Sequence, residues 1–112
     1  MTKLVISASA RRDIAGALQH SGKRWGEKQR RHYRLLIENA LGDLLDIPEP
    51  PASRARDEIR PGIRTFHIAR RGHPARHLIV YRVAPDGIIQ VIRLLHDAME
   101  LSRAILDISD EK

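Results

Sequence analysis

The chain has 112 residues, 42% of them hydrophobic, enough for one modest core and too few for two, so a single domain over 1–112 is expected. It contains no cysteine, which excludes disulfides, thiolate metal sites and a thiol nucleophile. Lys and Arg number 20 against 14 Asp and Glu, a formal charge of +6 that draws nucleic acid, anionic membranes or acidic proteins. Arg outnumbers Lys by 16 to 4. Guanidinium forks suit phosphates and bidentate carboxylate recognition, although a genomic bias toward Arg codons explains the same excess.

No apolar run approaches the ~20 residues of a membrane span, and the brief stretch from Met1 to Ile6 gives way at once to Ser, Ala and Arg. A cytoplasmic protein with no membrane association is expected. Leu4 to Ser7 reads as a first strand, short, apolar and β-branched. From Ala10 to about Lys23 the residues Ala10, Ile14, Ala17 and Leu18 recur at helical spacing, with Asp13 near the first turn. A second helix is predicted from Glu27 to Leu45, its stripe formed by Tyr33, Leu36, Ile37, Ala40, Leu41, Leu44 and Leu45. Pro48, Pro50 and Pro51 stop it.

Pro48 to Gly62 reads as a polar loop. Three strands follow, over Ile63–Arg70, His77–Val83 and Ile88–Leu95, and the turn Ala84-Pro85-Asp86-Gly87 predicts tight antiparallel connection. Ala98, Leu101, Ala104, Ile105 and Ile108 return to helical spacing, which gives a short C-terminal helix with a charged tail. The expected fold is α+β: a helical hairpin packed on an antiparallel sheet in the order β-α-α-β-β-β, then a short helix that either closes the far sheet face or sits on its rim.

Several segments together resemble the ParE/RelE toxin superfamily, its ParE branch in particular: Trp25-Gly26 with Gln29 and Tyr33, Pro61 to Phe66, His77 to Arg82, and Ile92 to Leu101. The resemblance spans about Leu4 to Leu106. It implies a toxin of a type II toxin-antitoxin system, of the plasmid-stabilisation kind, held in a hetero-oligomer by an acidic ParD-like antitoxin. When free, such a toxin would block DNA gyrase by binding, without catalysis, cofactor, metal or sequence-specific nucleic-acid contact. The alternative within the superfamily is a RelE-like, ribosome-dependent mRNA endonuclease.

On the binding reading, the residues expected to meet partners are Trp25, Tyr33, Arg64, Arg82, Arg93, His96 and Met99. Metal-free RNA cleavage needs a base, an acid and cations for the phosphate charge, and Glu58, Arg64, His77, Arg93 and His96 would supply them. Each has a plainer role. Arg64 and Arg93 read equally as strand arginines paired with carboxylates, His96 as a capping or core-edge residue, and Tyr81 as core with its hydroxyl satisfied. Trp25, the one tryptophan, reads first as a buried plug between the helices. His20, His32, His67 and His73 lack metal-site spacing, and the mixed-charge run from Arg54 to Arg60 reads as a solvated loop.

Overall fold

The computed structural model describes residues 3–106 and 108. Its elements are β1 (Leu4–Ile6), α1 (Ala8–Trp25), α2 (Glu27–Asp46), β2 (Arg54–Ala55), β3 (Arg64–His67), β4 (His77–Val83), β5 (Ile89–His96) and α3 (Leu101–Leu106). Both helices of the hairpin form where the apolar spacing predicts, and α1 extends further at each end. Its start is set by Ser7, whose hydroxyl accepts the Ala10 N–H at 3.0 Å and donates to the Ile92 carbonyl at 2.7 Å. One side chain thus caps the helix and pins it to β5.

Gly26 alone joins the two helices. Its φ of 94° lies where a side chain would be strained, its N–H closes α1 on the Gly22 carbonyl, and α2 begins at the next residue. Along α2 the buried positions are Leu36, Ile37, Ala40 and Leu44, while Leu45 turns outward.

The sheet runs β1-β5-β4-β3-β2. Strands β3, β4 and β5 form the expected antiparallel meander, and β1 joins it parallel to β5, so the sheet is mixed. The hairpin carries the chain from β1 at one edge to β2 at the other, and the meander then returns to set β5 beside β1. At the opposite edge β2 pairs with β3 inside the stretch read as loop; two residues carry no period by which sequence could reveal them. A register shift between Val80 and Tyr81 places Val80 opposite Arg93 but Tyr81 opposite Val91, which leaves Ile92 as the extra residue of a bulge.

The two sheet faces bury separate clusters. Phe66, Ile79, Tyr81, Val91 and Leu94 pack with the hairpin's Leu36, Ile37, Ala40 and Leu44. Ile63, Leu78, Val80 and Leu95 pack with Ile105, so α3 closes the far face. The charged tail predicted after it lies outside the described residues, as do Met1 and Thr2. Tyr81 is fully buried, and its hydroxyl donates to the Pro48 carbonyl at 2.8 Å and lies 2.6 Å from the Ser53 hydroxyl. It therefore ties the proline-rich connection to the central strand. Among the described residues no helix is long and apolar enough to cross a membrane.

Candidate functional site

Beside the Gly26 end of the hairpin, a groove of about 660 Å³ runs between α1, α2 and the adjoining ends of β4 and β5. α1 contributes His20, Arg24 and Trp25; α2 contributes Gln29 and Tyr33. Arg76, His77 and His96 complete it from the sheet side. None of the described residues lining it is Asp or Glu.

The antiparallel register sets His77 directly opposite His96, and their rings meet edge to face with centroids 5.2 Å apart. Tyr33 reaches down from α2 to contact His77 in the same manner, at 5.5 Å. The Tyr33 hydroxyl accepts the Arg76 N–H at 3.1 Å and hydrogen-bonds with His77 Nδ1 at 2.5 Å. Burial, then the neighbouring His96, pushes His77 down to about 4, so the ring is neutral at pH 7. Burial likewise raises Tyr33, which keeps its proton. His96 is exposed and its Nδ1 accepts the Ala98 N–H at 3.1 Å. This is the capping role its position at the strand end predicts.

Asp97 lies just behind the groove. Its carboxylate accepts from His67 Nε2 at 3.0 Å and pairs with Arg76 Nε at 3.2 Å, and the bond from His67, with the nearby Arg76 charge, holds it below the usual carboxylate range. The contact fixes the stem of Arg76, whose side chain stays 67% exposed.

Trp25 is not the buried plug that its corner position predicts. It is 66% exposed, with the Arg24 guanidinium 5.4 Å from the ring centroid. The single-residue connection at Gly26 leaves no interhelical gap for a ring to fill, so the indole projects onto the groove's lip.

The remaining candidates lie elsewhere. Arg64 faces Tyr81, four residues along β4 from His77 and so roughly 13 Å away; it donates to the Ser53 hydroxyl at 2.8 Å and pairs with Glu49 at 3.2 Å. Arg93 forms two hydrogen bonds to Asp13, at 2.6 and 3.1 Å, on the α1 side of β5. Arg82 bonds to Gln90 at 2.5 Å, Glu58 lies in an exposed turn, and Met99 is exposed just beyond β5. Thus Trp25, Tyr33, His77 and His96 share one groove, whereas Glu58, Arg64, Arg82 and Arg93 do not join them. Arg24 and Arg76 escaped the sequence reading, in which His20 has no site role and Gln29 stands only within the family resemblance. The signal available was that residues 14–26 and 59–85, which supply most of the groove's wall, contain no acidic residue.

A second groove, of about 620 Å³, runs along the hairpin beside β1. Its floor includes Ile6, Ile14 and Leu18, and Arg11, Arg30 and Arg34 line it. Glu27 holds Arg30 through two hydrogen bonds at 2.9 and 2.6 Å. No cluster of three or more His, Cys, Asp or Glu among the described residues is arranged to hold a metal ion.

The fold is shared with a solved structure described as the chromosomal ParDE TA system from P. aeruginosa, at a TM-score of 0.70 and 21% identity over 86% of this chain and 96% of that one. The family model for the ParE toxin of type II toxin-antitoxin system, parDE, matches residues 4–101, and the chain belongs to that family. It is 29% identical over 102 residues to Toxin ParE1 of Mycobacterium tuberculosis, in strains CDC 1551 / Oshkosh and ATCC 25618 / H37Rv, covering 91% of this chain and 96% of each relative.

Proposed function

We propose that this ParE-type toxin is neutralised by an acidic ParD-like antitoxin and, once released, inhibits DNA gyrase in the cytoplasm by binding to it. The observation that carries the antitoxin half is the second groove, where an apolar floor is lined by Arg11, Arg30 and Arg34 on a chain of net charge +6. An amphipathic acidic segment would place its apolar side on Ile14 and Leu18 and its carboxylates on the guanidinium groups. Charge of this sign also speeds encounter with such a partner.

Binding is favoured over RNA cleavage because the five residues that a nuclease would need are dispersed. Glu58 and Arg64 lie toward the β2 edge, Arg93 is turned to Asp13, and only His77 and His96 adjoin. Purified toxin is expected to stop supercoiling by gyrase while leaving RNA intact, and co-expression of the acidic product of the neighbouring reading frame is expected to restore growth. Undiminished supercoiling at saturating toxin would remove the gyrase assignment; failure of any neighbouring product to bind would remove the antitoxin one.

A further inference from the structure

The groove at the Gly26 end of the hairpin combines features that antitoxin docking along β1 does not use. Its walls carry two arginines and three histidines with no described carboxylate among them; Asp97 stands behind Arg76 and pairs with it, and the lining charges, Arg24 and Arg76, are both cations. An indole stands 66% exposed at its lip, with a guanidinium against the ring. Its remaining polar groups are uncharged: the exposed Gln29 amide, and the Tyr33 hydroxyl and His77 ring, which bond to each other. A volume of about 660 Å³ accommodates a small organic ligand.

We propose that this groove binds the nucleoside-phosphate unit of a nucleotide, its base stacked on Trp25 and its phosphate met by Arg24 and Arg76. An aromatic platform beside cations is how proteins hold unpaired bases, because every base has a π-face and every backbone unit a charge. The Gln29 amide, with both donors and an acceptor, suits the edge of a base. The ligand can be a free nucleotide or one unit of a single-stranded chain, since the two present the same chemistry. Nothing in this reading depends on gyrase being the target.

Trp25 is the one tryptophan of the chain, so its fluorescence reports on ligands at the groove's lip, and Arg76→Ala separates this groove from the neighbouring one that Trp25 lines with Lys23. The full-length toxin would be titrated with nucleoside monophosphates, with a short single-stranded oligonucleotide, and separately with nucleosides, inorganic phosphate and an acidic Glu/Leu peptide. Saturable quenching by the monophosphates identifies a free-nucleotide site; quenching by the oligonucleotide alone identifies a strand site. In either case nucleosides and phosphate should bind at least about tenfold more weakly, and Arg76→Ala or Arg24→Ala should cost about tenfold with the circular dichroism spectrum unchanged. Absence of quenching by both phosphate-bearing probes overturns the proposal, as does equal binding of nucleoside and nucleotide, or quenching by the peptide alone.

Discussion

Asp13 on α1 and Arg93 on β5 stand 80 positions apart in the chain and are joined by two hydrogen bonds, at 2.6 and 3.1 Å. The Asp13 oxygen that takes the shorter bond also accepts the Leu94 N–H at 3.0 Å. β1 pairs only with Ile89 to Val91 of β5. Beyond that point a helix carboxylate supplies the acceptor that a neighbouring strand would otherwise provide. Asp13→Ala should therefore destabilise the fold by about 2–3 kcal/mol, and Asp13→Asn, which keeps one acceptor, by about half as much. Urea unfolding of the three proteins measures this; a change below ~0.5 kcal/mol for the alanine variant would show that water replaces the carboxylate.

Trp25→Ala should leave stability within about 0.5 kcal/mol of the parent, because the indole is mostly solvated. Leu44→Ala, at a fully buried α2 position, should cost about 2–5 kcal/mol. Parallel thermal melts separate the two. A comparable loss for both variants would mean that the tryptophan is packed in solution.

His77 makes stability depend on pH in a definite direction. Its folded value of about 4 lies below the ordinary 6.5, so the unfolded chain binds the extra proton between those limits. The contribution is fully present above about pH 6.5 and is lost as pH falls toward 4. Because the ring is only partly enclosed, screening reduces the effect to the order of 1–2 kcal/mol. Wild type and His77→Asn, compared by urea midpoints from pH 7 to 4.5, should converge as the pH falls; parallel curves would count against a neutral buried imidazole.

Removing the hydroxyl of Tyr81 unties the connection after α2 from the sheet. Tyr81→Phe leaves the Pro48 carbonyl without this donor and the Ser53 hydroxyl with Arg64 in place of two partners, and should cost about 1–3 kcal/mol. Hydrogen exchange should quicken first between residues 48 and 55. Unchanged protection there would show that the prolines alone hold the segment.

Arg11→Glu and Arg34→Glu should each weaken antitoxin binding by about tenfold or more, mainly through slower association, with the difference shrinking as salt is raised. Stopped-flow mixing across ionic strengths checks both features. Equal association rates for the parent and the variants would place the acidic segment on another face.

Much of the architecture was legible because it is periodic. The stripe of Leu36, Ile37, Ala40 and Leu44 repeats along α2, and the Pro-Asp-Gly turn fixes how β4 meets β5. What escaped has no period. β2 is two residues long, and Leu45 belongs by spacing to the stripe yet falls just outside the contact. The groove was legible only in fragments: Trp25, Tyr33 and His96 could each be singled out, but their meeting depends on a register that sets His77 against His96 and on a hairpin too tightly closed to enclose an indole. Asp13 and Arg93 were each visible, and their pairing rests on where Ser7 anchors α1 to β5.

The connection at Gly26 has no slack. Because one residue separates the helices, inserting a single amino acid there would rotate every later side chain of α2 by about 100° about its axis. Leu36 and Leu44 would swing toward water, and charged neighbours would be driven onto the sheet. The spacing from Trp25 to Tyr33 is thus a constraint of helical phase rather than of chemistry, one that the strand-to-strand turns do not share.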